Sequence, residues 1–414
     1  MTTMAVELTG AADLARPGTT TNAPAADSAV LGTYKRAPVT FVRGEGVELF
    51  DTDGRAYLDF TSGIAVNALG YADPGIEAAI RGALESGVLH TSNLYSTEPG
   101  EKLARFLVDQ APFASKAFFC NSGAEANEAA FKFARRWARS TAGATAAKHE
   151  IVALRGAFHG RTMGVLAATD RPAYRIPFRP LAGGISIVER DLESLGAVLS
   201  AETSAAVIVE PVQGEGGVRV LDAGWLRELR ALTRERGVAL VLDEIQCGLG
   251  RTGYFFAHES AGIEPDMVTL AKPLAGGLPM GAVLLAPHVA AAIQPGDHGT
   301  TFGGGPFVAS VALHVVERLA DPRLLEQVRE NGEWLGEQLV ALGERTGRIR
   351  AVRGTGLMWG IDTSASASEV VANALDARLL LCSAGNHTVR LLPPLTITRD
   401  ELKVGVAVLE EVLQ

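Results

Sequence analysis

The sequence predicts an α/β fold in which a mainly parallel β-sheet is covered by helices. Two observations favour this class. Short apolar, β-rich runs alternate with helical segments along the middle of the chain, and several of these runs end directly at a glycine-rich or polar loop. With 414 residues, 47% of them hydrophobic and 21% charged, the chain has the composition of a globular protein. It is long enough for a sizeable core and two domains.

The individual elements follow from hydrophobic spacing. The helix after Cys120 has the clearest pattern, because alanines and aromatic residues recur at helical spacing and form one apolar stripe. Ser122 and Glu125 are spaced as a capping box at its start. The predicted strands are residues 117–120, 151–154, 205–209, 238–242, 267–271 and 281–286, and the predicted helices are residues 123–139, 223–236 and 307–319.

The two ends of the chain have a different pattern. Residues 44–63 alternate on both sides of Asp53-Gly54, which predicts an antiparallel hairpin. We therefore expect a large domain over residues 76–314 and a smaller α+β domain built from residues 29–75 and 315–414. Residues 1–28 are rich in Ala, Thr and Pro, lack the pattern of a secretory signal, and are predicted to be a disordered tail.

Charge and cysteine content narrow the classes of partner. The net charge of −9 argues against nucleic acid or an anionic membrane as the main partner. No apolar run is long enough to span a bilayer. The three cysteines form neither a zinc-binding spacing nor a disulfide ladder, so we expect no metal site and a cytoplasmic, reducing location.

Two residues at the ends of predicted strands are candidates for catalysis. Lys272 ends an apolar run and precedes a glycine-rich turn, where loss of solvent would favour a neutral, nucleophilic amine. Asp243 ends another apolar run, and a buried carboxylate there needs a partner. The protonated ring nitrogen of pyridoxal phosphate would serve, as would a structural arginine such as Arg251. A solvated surface lysine is the alternative for Lys272.

Other loops at strand ends add candidates, each with a structural alternative. The free amides of residues 121–124, at a helix start, could bind phosphate or form a plain N-cap. Phe158 could stack on a ring or belong to the core, and Arg161 could bind a carboxylate or pair with a structural acid.

Two further loops contain candidates. Glu215 lies among glycines and could be a mobile acid or an exposed turn residue. The loop containing Thr300 and Thr301 could complete a phosphate site.

In their order and amino-acid sequence, these segments resemble the class III (subgroup II) aminotransferases, which have fold type I. The similarity runs from about Tyr34 to the C-terminus. The matching segments are GIAVNALG (63–70), HTSNLY (90–95), CNSGAEANEAAFKFAR (120–135), FHGRTMG (158–164), VEPVQGEGGV (209–218), LDEIQCGLGRTG (242–253) and HGTTFGG (298–304).

The resemblance implies a seven-stranded, mainly parallel sheet and pyridoxal 5′-phosphate bound as a Schiff base to Lys272. Asp243 would pair with the pyridine nitrogen, Gln246 would contact the ring hydroxyl, and Phe158 would stack on the ring. Thr301 would reach the phosphate of a neighbouring subunit, so the active unit would be a homodimer. The phosphate of the same subunit would be bound by Ser122, Gly123 and Ala124.

The resemblance also implies how substrates are held. Arg161 would bind the distal carboxylate of each substrate. Arg390 would pair with Glu215 while a terminal amine is bound and would be released when glutamate brings its α-carboxylate. Further substrate positions by resemblance are Tyr34, Asn93 and Thr300.

Within the family, the amino-acid sequence of these segments most resembles that of members that act on N2-acetylornithine. The expected reaction converts N2-acetylornithine and 2-oxoglutarate into N-acetylglutamate 5-semialdehyde and glutamate, as in arginine biosynthesis. Succinylornithine, ornithine, 4-aminobutyrate or a carrier-bound lysine precursor are alternative donors. An aminomutase, a lyase and a non-catalytic binder of the cofactor are more distant alternatives. Pro273 and Gly305 depart from the usual family pattern.

Overall fold

The computed structural model describes residues 29–142 and 148–414. The predicted tail, residues 1–28, lies outside the described residues. The strands are β1 (Phe41–Glu45), β2 (Glu48–Asp51), β3 (Ala56–Asp59), β4 (Lys116–Cys120), β5 (Glu150–Leu154), β6 (Ile185–Val188), β7 (Ser204–Val209), β8 (Val212–Gln213), β9 (Arg219–Val220), β10 (Ala239–Asp243), β11 (Met267–Leu270), β12 (Gly281–Leu285), β13 (Ile349–Thr355), β14 (Met358–Thr363), β15 (Leu379–Leu380), β16 (Cys382–Ser383) and β17 (Thr388–Leu391).

The helices surround these strands. They are α1 (Ser62–Ala65), α2 (Pro74–Glu85), α3 (Glu98–Asp109), α4 (Gly123–Ala142), α5 (Met163–Ala168), α6 (Pro172–Arg175), α7 (Leu192–Val198), α8 (Ala223–Glu235), α9 (Pro287–Ala290), α10 (Pro306–Leu319), α11 (Pro322–Thr346), α12 (Ala367–Asp376) and α13 (Arg399–Leu413). None of the helices among the described residues is long and apolar enough to cross a membrane.

A seven-stranded sheet forms the centre of the molecule, in the order β4-β12-β11-β10-β7-β5-β6. Only β12 runs against its neighbours, β11 and β4. The other pairs are parallel, so six strands place their carboxyl ends at one edge. Every residue of β7, β10 and β11 is buried, as expected for parallel strands covered on both faces. The predicted fold class is confirmed.

The predicted strands and helices agree with the structure to within a few residues, but one strand of the seven-stranded sheet was not predicted. The six predicted strands correspond to β4, β5, β7, β10, β11 and β12, and the three helices to α4, α8 and α10. The missed strand is β6, a half-buried segment of four residues at the sheet edge.

Two smaller four-stranded sheets contain segments from the chain ends. The predicted hairpin forms between β2 and β3, and it is extended by β1 on one side and by β15 on the other. Because β15 pairs with β3, the C-terminal part of the chain joins the N-terminal part in one sheet. The second small sheet has the order β13-β14-β17-β16. The predicted domain boundaries stay a prediction.

Candidate active site

A cavity of about 430 Å³ opens at the carboxyl edge of the central sheet. It is lined by residues that follow β4, β5, β7, β10 and β11, which is where ligands bind in open α/β sheets. Its volume suits a small cofactor or substrate. The lining contains Ser122, Phe158, Glu210, Asp243 and Lys272.

Lys272 follows β11 and lines the cavity on a strained backbone. Its φ angle is 35°, a left-handed value that is rare for a lysine. Pro273 lies in the first turn of the short 3-10 helix that starts at Lys272, where it needs no amide hydrogen. Burial lowers the pKa of Lys272 to about 8, and the positive charge of Arg390 acts in the same direction. A much larger fraction of the amine than in an ordinary lysine is therefore neutral near physiological pH.

Asp243 ends β10, is buried, and is held by two side chains. One of its oxygens accepts a hydrogen bond from the Asn127 amide at 2.8 Å, and the same oxygen lies 2.7 Å from His159 Nδ1. Its other oxygen accepts from the backbone of Ile245 at 3.1 Å. Arg251, suggested above as a structural partner, instead donates to the carbonyls of Leu357 and Pro393.

His159 and Asn127 were not among the predicted site residues. Both are buried, and Asn127 also donates to the His159 carbonyl at 2.8 Å. His159 is adjacent to Phe158 in a segment that was singled out, and Asn127 lies one helical turn after Gly123. Their contact with Asp243 joins a helix, a loop and a strand end that are far apart in the sequence, so local spacing cannot predict it.

Helix α4 begins at the cavity, as predicted. Ser122, Gly123 and Ala124 line the cavity at its first turn. The Glu125 amide donates to the Ser122 hydroxyl at 3.2 Å, while the Glu125 carboxylate accepts from the Asn121 amide at 2.6 Å. The hydroxyl contact of the predicted capping box is therefore present. The contact of the Glu125 carboxylate is displaced by one residue, from the amide of Ser122 to that of Asn121. A Cβ at Gly123 would lie 2.7 Å from the Ile245 side chain. The absence of a side chain at Gly123 therefore allows this turn to approach the loop after β10.

Phe158 and Arg161 line the same cavity from the loop after β5. The Arg161 guanidinium lies 3.3 Å from the centre of the Tyr174 ring, which orients it by a cation–π contact. Glu210, buried after β7, accepts from the Phe158 amide at 2.9 Å and from the Gly214 amide at 3.3 Å. Burial raises the pKa of Glu210 to about 7. Sequence reasoning missed both Tyr174 and Glu210.

Arg390 is buried, and each of its three guanidinium nitrogens contacts one acceptor. It donates to Glu215 at 2.7 Å, to the Gln246 amide oxygen at 2.8 Å and to the Cys382 sulfur at 3.4 Å. The predicted Glu215–Arg390 pair is therefore present. Gln246 lines the cavity, and its oxygen is engaged by Arg390. Its predicted contact with a cofactor hydroxyl remains a prediction.

The other predicted substrate residues lie apart from Lys272. Asn93 donates to the Thr300 carbonyl at 2.8 Å, and Asn121 donates to the Thr300 hydroxyl at 3.2 Å. Thr300 and Thr301 line a second cavity of about 290 Å³, which shares Asn121 with the first. Tyr34 is 78% exposed and lines neither cavity. Within one chain, the structure does not bring Tyr34, Asn93 or Thr301 to Lys272.

These groups suit a phosphorylated heteroaromatic aldehyde. Lys272 supplies a partly neutral amine, and the start of α4 supplies free amides for a phosphate. Asp243 supplies a buried carboxylate for a ring cation, and Phe158 an aromatic surface for the ring. No cluster of three or more potential metal ligands occurs among residues 29–142 and 148–414.

Comparison with known proteins gives a consistent family. The aminotransferase class-III family model matches residues 32–413. The acetylornithine aminotransferase of Methanocaldococcus jannaschii is 43% identical over 92% of this chain and 95% of that protein. The mitochondrial acetylornithine aminotransferase of Alnus glutinosa is 45% identical over 94% of this chain and 86% of that protein.

Solved structures agree with this relationship. The N-acetylornithine aminotransferase of Stenotrophomonas maltophilia has a TM-score of 0.80 and 36% identity, over 92% of this chain and 96% of that one. The ornithine aminotransferase of Toxoplasma gondii has a TM-score of 0.88 and 28% identity, over 93% and 92%. A second structure of the Toxoplasma enzyme has PLP at partial occupancy in its active site. This chain belongs to the class-III aminotransferase family.

Proposed function

We propose that this aminotransferase moves the terminal amino group of N2-acetylornithine to 2-oxoglutarate. The Glu215–Arg390 pair beside Lys272 is the observation that carries the proposal. A carboxylate that masks a buried arginine lets one site accept a donor with a terminal amine and also glutamate, which has carboxylates at both ends. Acetylornithine aminotransferases at 43–45% identity support the choice of donor.

Pyridoxal 5′-phosphate is the proposed cofactor, and the cavity residues fit it. Ser122, Gly123 and Ala124 would bind its phosphate, Phe158 would cover the ring, and Asp243 would pair with the ring nitrogen. When bound, this cofactor supplies an electron sink for the bond that breaks at the amine-bearing carbon of the substrate. The orientation of Asp243 by His159 and Asn127 keeps the carboxylate in place for that pairing.

The remaining chemistry belongs to side chains of this chain. Arg161, oriented on Tyr174, would bind the distal carboxylate of each substrate. Lys272, with a lowered pKa, can accept a proton from the substrate carbon and return it, since a pKa closer to neutral pH suits both steps. Glu215 would withdraw from Arg390 only when glutamate presents its α-carboxylate.

Ornithine is the second candidate donor. The Toxoplasma ornithine aminotransferase has the higher TM-score, 0.88 against 0.80 for the Stenotrophomonas enzyme, although its identity to this chain is lower. Fold similarity changes little with substrate, whereas the side chains of the cavity set substrate choice. The higher identity to N2-acetylornithine enzymes therefore places ornithine second.

Single-turnover absorbance measurements on the cofactor-loaded enzyme test the proposal. The enzyme would be mixed separately with N2-acetylornithine, ornithine, 4-aminobutyrate and glutamate. We expect rapid spectral conversion with N2-acetylornithine and with glutamate. Conversion with glutamate and ornithine, but not with N2-acetylornithine, would move the assignment to ornithine. A spectrum that no donor changes would contradict amino transfer, and Lys272→Ala serves as the inactive control.

We also propose a homodimer in which Thr301 serves the neighbouring site. Thr301 is exposed, and the adjacent Phe302 and the nearby Leu94 leave 67% and 87% of their surfaces uncovered in one chain. Exposed apolar residues of this kind are typical of subunit contacts.

Subunit mixing tests this shared site. Lys272→Ala and Thr301→Asp enzymes should each be inactive, the second because its carboxylate repels phosphate. Randomly mixed subunits should recover about a quarter of wild-type activity, since half of the dimers are mixed and each of these keeps one intact site. Absence of recovery, with mixed dimers confirmed by mass, would contradict the shared site.

A further inference from the structure

Arg353, Gly360 and Arg390 form one row across three adjacent strands. Arg353 of β13 is paired with Gly360 of β14, and Gly360 is paired with Arg390 of β17. Residues directly opposite each other in antiparallel strands project to the same face of the sheet. Two arginines therefore lie on one face, separated by a position without a side chain.

The loop that contains Glu215 lies over this row. Arg353 donates from Nε to the Gly217 carbonyl at 2.5 Å, and Arg390 binds the Glu215 carboxylate at 2.7 Å. Between these contacts, a Cβ at Gly360 would lie 2.9 Å from the Cβ of Val218. The missing side chain of Gly360 therefore leaves the space in which Val218 approaches the sheet.

Arg353 is itself rigidly anchored. Its two terminal nitrogens bind both oxygens of Asp362 at 2.7 Å, and one of them also contacts the Thr388 hydroxyl at 3.0 Å. Thr388 lies two residues before Arg390 on β17. The same guanidinium thus contacts the strand that contains Arg390 and the loop that contains Glu215. A bidentate arginine–carboxylate pair has the fixed geometry that such a connection requires.

The main chain of the loop is held at a second point. Arg171, from the loop before α6, donates to the carbonyl of Glu215 itself. With Gly217 and Glu215 both fixed through their carbonyl groups, Glu215 can leave Arg390 by rotating its side chain while the loop remains in place. Rotation of one side chain disturbs less structure than movement of a loop, so the same loop can serve both donors.

We propose that Arg353 and Gly360 are positioning residues that align the Glu215 loop with Arg390 and thereby set the preference between the two amino donors. This inference rests on the proposed function, since it assigns the masking of Arg390 to donor choice. Neither residue is assigned contact with substrate. Both act through Glu215.

The test compares half-reaction rates of cofactor-loaded variants with N2-acetylornithine and with glutamate. In Arg353→Gln, the loop loses its contact at Gly217, so Glu215 masks Arg390 less well. The glutamate rate should therefore rise relative to the N2-acetylornithine rate by about tenfold.

Gly360→Ala keeps every charge and should change the ratio in the same direction by pushing Val218 outward. Arg345→Gln removes another bidentate pair, with Glu410, and should leave the ratio unchanged.

A double-mutant cycle separates positioning from a general structural effect. In a Glu215→Ala background Arg390 is already unmasked, so Arg353→Gln should no longer change the donor ratio. Equal losses on both donors in Arg353→Gln and Gly360→Ala, or an undiminished effect of Arg353→Gln without Glu215, would overturn the proposal. If the wild-type enzyme does not react with N2-acetylornithine, the proposed function fails instead, and the two failures are distinguishable.

Discussion

His159 Nδ1 lies 2.7 Å from a carboxylate oxygen of Asp243, and both side chains are buried. Because a carboxylate only accepts at this contact, Nδ1 carries the proton. A buried carboxylate is expensive unless donors surround it, and His159, Asn127 and the Ile245 amide provide them here. His159 Nε2 has no hydrogen-bond partner within the described part of the chain.

The role of Asn127 in holding Asp243 leads to the first prediction. Asn127→Ala removes one of the two side-chain donors of the carboxylate, a loss worth about 1.5–3 kcal/mol for a hydrogen bond to a charged group. We expect about tenfold weaker binding of pyridoxal phosphate, measured by fluorescence titration of the apoenzyme. Asn331→Ala also removes a buried amide, one bonded to the Ile397 carbonyl, and should lower the melting temperature without weakening cofactor binding. Equal cofactor affinity in both variants would contradict the role of Asn127.

The lowered pKa of Lys272 predicts the pH dependence of cofactor attachment. Only the neutral amine attacks an aldehyde, so the rate of attachment to apoenzyme should rise with pH and level off above about 8. Stopped-flow absorbance with pyridoxal phosphate, between pH 6 and 10, would measure this rate. A rate that is still rising steeply at pH 10 would contradict the lowered pKa.

Arg390 influences the midpoint of this pH profile. Its positive charge contributes to lowering the pKa of Lys272, after burial itself. Arg390→Gln should therefore move the midpoint to higher pH, because a like charge has been removed. Arg345→Gln removes a remote, exposed arginine and should leave the midpoint unchanged.

Local sequence patterns predicted much of the fold and the main site candidates, for physical reasons. The buried parallel strands are continuous apolar runs, and their ends place Lys272 and Asp243 at one edge. Residues that act through long-range contacts were missed. Asp243 meets His159 across 84 positions, and this pairing depends on the order of strands in the sheet.

The antiparallel direction of β12 shows the same limit. Its apolar sequence resembles that of its parallel neighbours, because every residue of β12 is also buried. Hydrophobicity records burial on two faces and carries no information about strand direction. The position of Tyr174 against Arg161 likewise depends on how α6 packs after α5, which no spacing rule gives.

The stacking of Arg161 on Tyr174 predicts a uniform effect on substrates. If Arg161 binds the distal carboxylate of both donors, Tyr174→Ala should raise KM for N2-acetylornithine and glutamate alike, by about two- to fivefold for a partly exposed cation–π contact. Tyr174→Phe retains the ring and should behave as wild type. Tyr254→Ala, which removes a ring near Arg329, is the control and should leave both KM values unchanged. An effect on one donor alone would contradict a shared role for Arg161.

Glu210 predicts a second pH effect, because burial shifts its pKa in the opposite direction to that of Lys272. Burial raises its pKa to about 7, with Asp243 adding to the rise and the nearby His159 and Lys272 opposing it. Below that pH one carboxyl oxygen carries a proton and becomes a donor, so it is a weaker acceptor for the one amide that it faces, either that of Phe158 or that of Gly214. The loops that contain Phe158 and Glu215 should then loosen, so kcat/KM for both donors should fall as the pH drops through about 7.

In Glu210→Gln this step should vanish from the profile, with lower activity at all pH values because one oxygen acceptor is lost. Glu244→Gln, a buried carboxylate paired with His258, should keep the step. A step that persists in Glu210→Gln would assign it to another group.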